Sequence, residues 1–187
     1  MRVITGKARG VVLKTPDGMA TRPTTDRVKE AMFNIIQFAI PAARVLDLFG
    51  GTGQLGIEAL SREAKSAVFV DEREDACRLI RENLKRTKLE QYGKVIRADY
   101  MTYLRSCREK FDIILLDPPY AEVFLENSLK MITQIDILQT GGIIVTERPI
   151  GKELPWKFSG YSRSKDYKYG RTLITIYKKL DTVEGTL

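Results

Sequence analysis

Short apolar runs alternate with segments of helical periodicity between residues 44 and 147, and this alternation restricts what the chain can fold into. The apolar runs predict β-strands at about 44–49, 67–70, 94–97, 111–116 and 142–147. The segments between them predict helices at about 53–62, 73–88, 99–107 and 122–135. Strands and helices in alternation form right-handed crossovers and a parallel sheet with helices on both faces. The pattern therefore predicts a doubly wound α/β fold.

The two ends of the chain depart from this alternation. A helix is predicted from about Thr24 to Pro41, behind a basic N-terminal stretch. Two strands at about 157–164 and 171–178, separated by Lys168-Tyr169-Gly170, predict an antiparallel hairpin that completes a mostly parallel, seven-stranded sheet. The predicted parts of the chain are an N-terminal basic extension with its helix (1–42), a main domain (43–180) and a tail (181–187).

An aspartate stands at or near the end of each of the first four predicted strands. These residues are Asp47, Asp71, Asp99 and Asp117. Because ligands of open α/β sheets bind beyond the carboxyl ends of the strands, we expect the four side chains to line one crevice. A single aspartate in such a place is commonly a helix cap or a turn residue. Four of them at one edge favour a binding site.

The loop after the first strand is rich in glycine. Gly51, Gly53 and Gly56 match the pattern GxGxxG, and Asp71 follows at the end of the second strand. Glycines let the backbone approach a ligand, the start of the helix offers N–H donors, and the carboxylate can accept hydrogen bonds from ribose hydroxyls. The loop by itself fits either a nicotinamide dinucleotide or S-adenosylmethionine.

Asp47 separates these two ligands. Its carboxylate would repel a pyrophosphate but attract the ammonium of a methionine moiety, which favours S-adenosylmethionine as the cofactor. On this hypothesis Asp47 faces the amino-acid end, Asp71 binds the ribose and Asp99 reaches the adenine amine. The predicted cofactor-binding residues are Asp47, Phe49, Gly50, Gly51, Gly53, Asp71, Glu72, Asp99 and Tyr100.

The sequence Asp117-Pro118-Pro119-Tyr120 follows the fourth strand and points to a reaction. Two prolines stiffen the loop and remove two N–H donors, which leaves backbone carbonyls as acceptors. A carboxylate and such a carbonyl can accept both hydrogens of an exocyclic base amine and aim its lone pair at a methyl sulfonium. Tyr120 would stack on a base swung out from its neighbours. Asp117, Pro118, Pro119 and Tyr120 are the predicted catalytic residues.

The glycine loop and the Asp-Pro-Pro-Tyr sequence together resemble the class I S-adenosylmethionine-dependent methyltransferases, which have a Rossmann-like fold and methylate exocyclic amines. The strings RVITGKARG (residues 2–10) and RPTTDRVKE (residues 22–30), with Leu60-Ser61-Arg62, resemble the bacterial 16S rRNA guanine-N2 methyltransferases of the RsmD type. This resemblance covers nearly the whole chain. It implies methylation of one guanine of 16S rRNA, with the rRNA or the small ribosomal subunit as partner. The family often has Glu at the position of Asp71, and Asp should still bind the ribose.

Positive charge is concentrated near the two ends of the chain. The net charge is +7, with +4 in residues 1–30, −2 in 31–147, +7 in 148–179 and −2 in 180–187. Aromatic residues interleave the second basic segment, as in surfaces that bind phosphates and stack on unpaired bases, although a charged edge hairpin has the same composition. These aromatic residues are Trp156, Phe158, Tyr161, Tyr167 and Tyr169. The predicted RNA-binding residues are Arg2, Lys7, Arg9, Arg22, Arg27, Lys168 and Arg171.

Three other functions share part of this pattern. A DNA adenine or cytosine amino-methyltransferase would use the same Asp-Pro-Pro-Tyr chemistry, but such enzymes usually carry a separate recognition domain, for which 187 residues leave little room. A protein glutamine methyltransferase usually begins the related sequence with Asn. A non-catalytic RNA-binding assembly factor can retain the cofactor fold, although Asp117 and Tyr120 argue against it.

Composition excludes several other mechanisms. The chain has no histidine, which excludes Ser-His-Asp and Cys-His catalysis and His-bearing zinc sites. Cys77 and Cys107 form no CxxC pair, so we expect no metal site, and two free thiols fit a reducing compartment. No apolar run reaches the roughly 18 residues of a membrane span, and the N-terminus lacks the apolar core of a signal peptide. We therefore expect a soluble, cytoplasmic protein that does not contact a membrane. Separately, we expect it to be a monomer.

Overall fold

Helices and strands alternate along the chain in the computed structural model, which describes residues 1–16, 23–118, 122–151, 153–158 and 160–180. The strands in this part of the chain are β1 (Arg44–Asp47), β2 (Ser66–Asp71), β3 (Gly93–Arg97), β4 (Phe111–Leu116), β5 (Leu138–Pro149), β6 (Lys157–Phe158), β7 (Tyr161–Tyr169) and β8 (Thr172–Lys179). The α-helices are α1 (Pro23–Ile35), α2 (Gln54–Ser61), α3 (Glu74–Thr87), α4 (Tyr100–Ser106) and α5 (Glu122–Ile135).

Within the described residues the strands form one sheet of eight, in the order β3-β2-β1-β4-β5-β8-β7-β6. Strands β1 to β5 pair in parallel, and the β7–β8 hairpin joins β5 antiparallel. The strand order reverses between β1 and β4, and a doubly wound sheet opens its ligand crevice at that point. The seven longer strands are the predicted seven-stranded sheet, and the two-residue β6 extends its edge.

Apolar side chains cover both faces of the sheet. Along each strand, alternate residues join one of two buried clusters: Val45, Ile113 and Val145 belong to the first, and Leu46, Ile114 and Ile144 to the second. Helices α1, α2 and α3 pack on the first cluster, while α4 and α5 pack on the second. A parallel sheet buried on both faces requires continuous apolar strands, which is why the strands are visible in the sequence.

The boundaries of two predicted elements differ from the structure. The first hairpin strand, predicted at 157–164, is divided because Gly160 adopts a φ of +72° after the short β6. Strand β7 then begins at Tyr161 and continues to Tyr169, so the turn falls at Gly170, whose φ is +58°. The predicted N-terminal helix ends early, and a short 3₁₀ turn at Gln37–Ala39 follows α1.

Residues 1–16 pack against the helices of the first face. Val3, Ala8 and Leu13 are buried in the same cluster as the sheet residues. Glu58 of α2 is fully buried, and its carboxylate accepts hydrogen bonds from the backbone N–H of Ile4 at 2.8 Å and of Thr5 at 3.1 Å. The N-terminal segment is therefore fixed to α2, while the predicted division into an extension, a domain and a tail stays a prediction.

Glu58 also compensates buried cations. Its carboxylate accepts from Arg62 Nε at 2.8 Å and lies 3.8 Å from Lys29 Nζ, which donates to the carbonyl of Arg2 at 2.7 Å. Burial lowers the pKa of Lys29, and the charge of Glu58 opposes that shift. Because a buried charge is costly without a partner, this cluster ties α1, α2 and the N-terminus into one unit.

Candidate active site

The glycine loop lies between β1 and α2 and is fixed to the end of β2. The N–H of Gly50 donates to the carbonyl of Val70 at 2.8 Å, and the N–H of Gly51 donates to Asp71 Oδ2 at 2.9 Å. Gly51 and Gly53 have positive φ values of 54° and 80°, which favour glycine. A Cβ on Gly51 would meet nothing closer than the Phe49 carbonyl oxygen at 3.9 Å, so this side of the loop is open to a ligand.

Gly56, the third glycine of the pattern, is required by close packing and not by the backbone conformation of the loop. A Cβ there would lie 2.2 Å from Phe69 Cε1, so the side chain of β2 occupies that space. Its backbone N–H donates to Asp47 Oδ2 at 3.0 Å. This glycine therefore lets α2 pack closely on the sheet and does not face the crevice.

Asp47 ends β1 and is only 1% exposed. Burial raises its pKa to about 7, with further upward contributions from the charges of Asp117 and Asp71 and a downward one from the hydrogen bond of Gly56. Its carboxylate is thus poorly solvated and lies near two other acidic groups. A cation, such as the ammonium in the predicted role, would stabilise its ionised form.

Asp71 at the end of β2 organises the loop that follows it. Besides Gly51, it accepts a hydrogen bond from the backbone N–H of Arg73 at 3.0 Å, and Arg73 Nε lies 3.5 Å from the same carboxylate oxygen. Asp71 is half-buried, whereas the neighbouring Glu72 is exposed. The carboxylate therefore joins the second strand end to the glycine loop on the crevice side.

The end of β3 contributes an aspartate and an aromatic residue. Asp99 is exposed and caps α4, since its Oδ1 accepts from the backbone N–H of Thr102 at 3.0 Å. Tyr100 packs beside Phe49 with ring centroids 5.3 Å apart, and both contact Phe124 of α5. The sequence analysis did not identify Phe124; its position in the first turn after the Asp-Pro-Pro-Tyr sequence was the available signal.

Asp117 and Pro118 follow β4 and are half-buried. Burial raises the pKa of Asp117 to about 6. Pro119 and Tyr120, the other two predicted catalytic residues, lie outside the described residues. The structure therefore brings Asp117 to the same edge as Asp47 and Asp71, where the charges of Asp117 and Asp71 act on Asp47.

Glu147 of β5 is an acidic residue of this edge that the sequence analysis did not assign. It is half-buried, and its pKa is raised to about 8 by burial and by the charge of Asp117. The rule that selected an aspartate after each of the first four strands applies equally to the fifth. Extending the rule by one strand would have found Glu147.

The predicted RNA-binding residues fall in two places. Arg2, Lys7 and Arg9 are exposed on the N-terminal segment, where Lys7 lies 3.7 Å from Glu63. Arg27 on α1 is exposed, as are Lys168 and Arg171 at the tip of the β7–β8 hairpin. Arg22 lies outside the described residues.

A groove of about 480 Å³ separates α1 from the tip of this hairpin. It is lined by Arg27, Glu30, Ala31, Asn34, Ile35 and Tyr169. Because Tyr169 pairs with Thr172, and Thr172 with Pro149, the groove lies near the carboxyl end of β5. The two basic ends of the chain therefore meet beside the edge that holds the acidic residues.

The aromatic residues of the C-terminal basic segment have different environments. Tyr161 is buried and donates to Asp136 Oδ1 at 2.7 Å, and Tyr167 packs on the first cluster. Trp156 is exposed, with the Arg163 guanidinium 3.5 Å from its ring centroid. Among these three and Tyr169, the groove therefore offers Tyr169 alone as a ring for stacking.

The described residues contain no group of three or more Cys, Asp or Glu side chains arranged to hold a metal ion. They also contain no helix that is both long and apolar enough to cross a membrane.

Comparisons with known proteins identify the family of this chain. Residues 1–178 match the model of the family described as "Conserved hypothetical protein 95". The chain belongs to that family. It is 41% identical to the Bacillus subtilis "Putative rRNA methyltransferase YlbH", over 96% of this chain and 99% of the relative. It is 30% identical to the Escherichia coli "Ribosomal RNA small subunit methyltransferase D", over 96% of this chain and 90% of the relative.

A solved structure gives the same result at the level of the fold. The Escherichia coli "Putative methyltransferase yhhF" superposes with a TM-score of 0.87 and 28% identity, over 96% of this chain and 98% of the other. The predicted family, the fold class and the prediction that the chain is a methyltransferase are confirmed. The predicted roles of individual site residues stay predictions.

Proposed function

We propose that the protein transfers the methyl group of S-adenosylmethionine to the exocyclic N2 amine of a guanine in the 16S rRNA of the small ribosomal subunit. The observation that carries this proposal is the half-buried carboxylate of Asp117 after β4, at the same sheet edge as Asp47 and Asp71, next to which the glycine loop has open space at Gly51. Relatives named as rRNA methyltransferases over nearly their whole length supply the class of substrate.

The residues present fit the cofactor. The open space at Gly51 admits a ligand against the backbone, and a Cβ would narrow it. Asp71 would bind the ribose hydroxyls, while Asp47 would pair with the ammonium and Asp99 would accept from the adenine amine. Phe49 and Tyr100 form an apolar surface between them. When bound, S-adenosylmethionine supplies a methyl group on a positively charged sulfur, and the methyltransferase relatives agree with that cofactor.

Asp117 would hold the base amine. Its carboxylate accepts one amine hydrogen and a carbonyl of the proline loop accepts the other, so the nitrogen lone pair is left to form the new bond to carbon. Bound S-adenosylmethionine would supply the methyl carbon from its sulfur to this lone pair, and the methylated amine would release one proton to solvent. Asp117, with a pKa near 6, is mostly ionised at neutral pH and can accept the hydrogen bond.

The exposed cations beside the groove would bind the substrate backbone. Arg27, Lys168 and Arg171 lie around the hairpin tip, and Tyr169 would stack on an unpaired base next to the target. Small ribosomal subunits are cytoplasmic, so this substrate agrees with the predicted location. The monomeric state stays a prediction.

The test is methyl transfer from labelled S-adenosylmethionine to small subunits from a strain that lacks the enzyme. Naked 16S rRNA and duplex DNA are parallel substrates, and nucleoside analysis identifies the product. We expect N2-methylguanosine in RNA. Label in DNA would overturn the substrate class, and absence of transfer to all three substrates would favour an assembly factor.

The amine-holding role needs its own variant. Asp117→Ala removes the acceptor, so kcat should fall by about 100-fold or more. Cofactor affinity, measured by calorimetry, should stay within about threefold of the wild type. Wild-type turnover in Asp117→Ala would contradict the role.

A further inference from the structure

Acidic side chains at the strand ends differ in what they already bind. Asp47, Asp71 and Asp99 each accept a hydrogen bond from a backbone N–H. Among the described residues, Asp117 and Glu147 have no hydrogen-bond donor and no cation paired with them, although both are half-buried. Two half-buried carboxylates without donors point to a ligand that brings donors of its own.

These two carboxylates lie side by side. Leu116 of β4 pairs with Thr146 of β5 in a parallel register, so the residues that follow are Asp117 and Glu147. Neighbouring strands are about 4.8 Å apart. Side chains alternate along each strand, and Leu115 and Val145 belong to the first cluster, so Asp117 and Glu147 both project toward that face. The charge of Asp117 acts directly on Glu147, in agreement with this placement.

Two adjacent hydrogen-bond acceptors, Asp117 and Glu147, favour a base that presents two neighbouring N–H donors. Beside its exocyclic amine, adenine has N1 and cytosine has N3, and both ring nitrogens are acceptors. Guanine instead has N1–H, a donor, directly beside its N2 amine. Two ionised carboxylates therefore match guanine, and they would place an acceptor against an acceptor with adenine or cytosine. Because burial and the charge of Asp117 raise the pKa of Glu147 to about 8, this match applies where Glu147 has lost its proton, and the N1–H of guanine stabilises that ionised form.

We propose that Glu147 determines base specificity by accepting the N1–H of the target guanine while Asp117 accepts a hydrogen of its N2 amine. This inference rests on the proposed function, because it assigns a second residue to the same base. Sites built to hydrogen-bond a substrate group discriminate strongly against analogues that lack it, since a buried polar group is then left unpaired. Glu147 is thus the residue that separates guanine from the other amino-bearing bases.

The test uses 2-aminopurine, which keeps the amine of guanine but has an unprotonated N1 acceptor. Small subunits are reconstituted on 16S rRNA that carries either guanine or 2-aminopurine at the methylated position. At about pH 8.5, where most of Glu147 is ionised, kcat/KM of the wild type should be about 100-fold higher with guanine. Glu147→Gln should lower kcat/KM for guanine and reduce the guanine preference at least tenfold, because the amide N–H can donate to N1 of 2-aminopurine.

The ratio separates base recognition from structural damage. 2-Aminopurine also lacks O6, but that difference affects the wild type and Glu147→Gln alike, so a changed ratio reports the contact at N1. A matched control is Glu126→Gln on α5, on the opposite face of the sheet, which should leave both rates unchanged. Equal losses on both bases would overturn the inference, as would a wild type without preference. Absence of N2-methylguanosine in the wild type would instead reject the proposed function.

Discussion

At the scale of single residues, the same chemical feature has several uses along one edge of the sheet. Asp99 caps a helix, Asp71 fixes the glycine loop, and Asp47 supports the start of α2 through Gly56. The sequence analysis treated capping and ligand binding as alternatives for these residues. One carboxylate can do both, because it offers about four lone-pair positions and a backbone N–H uses one of them. A structural hydrogen bond therefore does not remove Asp47, Asp71 or Asp99 from the site.

Asp71 permits a direct test of this double use. Asp71→Ala removes the acceptor for Gly51 and the predicted acceptor for ribose, so the dissociation constant for S-adenosylmethionine should rise about 10- to 100-fold. Isothermal titration calorimetry measures this constant. Asp75→Ala, an exposed carboxylate in the first turn of α3, is the matched control and should bind normally. An unchanged affinity in Asp71→Ala would remove it from the pocket.

At the scale of elements, the central strands were predictable and the hairpin was less so. Strands β1, β2 and β4 are buried on both faces, so apolar residues dominate them and the runs stand out in the sequence, whereas the edge strand β3 is only half-buried and is marked by Val95 and Ile96. The hairpin combines buried Tyr161 and Tyr177 with exposed cations, and Gly160 interrupts it. Its boundaries depend on backbone conformation at single glycines, which a composition pattern does not specify.

The meeting of α1 with the hairpin tip was also beyond the sequence. Arg27 and Tyr169 are more than one hundred residues apart, and their approach depends on β8 joining β5 antiparallel. Charge at both ends, and the aromatic residues of the C-terminal segment, had predicted RNA binding there. The structure adds that Arg27 and Tyr169 border one groove next to the strand ends. Each of the two residues therefore has its own expected effect on RNA binding.

Variants of two groove residues should distinguish the electrostatic contribution to RNA binding from the contribution of base stacking. Arg27→Ala should weaken binding to 16S rRNA and lower the slope of log affinity against log salt concentration by about 1, since one phosphate contact is lost. Tyr169→Ala should weaken binding by about 1–3 kcal/mol with an unchanged slope. Lys130→Ala, on the opposite face of the sheet, should leave both quantities unchanged. Filter binding from 50 to 300 mM salt measures them, and an unchanged slope in Arg27→Ala would contradict the phosphate contact.

At the scale of the whole molecule, the chain combines a positively charged surface with an acidic cavity edge. The net charge of +7 comes from the two end segments, while the central part, which contains the site, carries −2. Absence of histidine is compatible with this arrangement, because the sulfonium supplies the reactivity and the protein supplies acceptors and position. The acidic edge has a cost for folding, since Asp47, Asp117 and Glu147 are withdrawn from water near each other.

This cost should make the protein less stable as the pH rises. The pKa values of Asp47, Asp117 and Glu147 are raised to about 7, 6 and 8, from ordinary values of 3.8, 3.8 and 4.5. At a pH between the ordinary and the raised pKa of each group, the folded state retains a proton that the unfolded chain has released. The free energy of unfolding therefore decreases as pH increases toward 8. Asp136 acts in the opposite direction, because its hydrogen bonds from Lys179, Tyr161 and Lys110 outweigh burial and lower its pKa to about 2. Its contribution is constant above pH 5.

Urea unfolding of the cofactor-free protein at pH 5.5 and 8.5 tests this prediction. The wild type should lose stability over this range, and Asp47→Asn should reduce the loss by about 2 kcal/mol, because one pKa unit corresponds to about 1.4 kcal/mol. The asparagine oxygen can still accept the hydrogen bond of Gly56, so the variant removes the charge and keeps the contact. Asp75→Asn, exposed on α3, should show the wild-type dependence. If Asp47→Asn and the wild type lose the same free energy, Asp47 is ionised throughout that range in the folded state, and burial does not hold its proton.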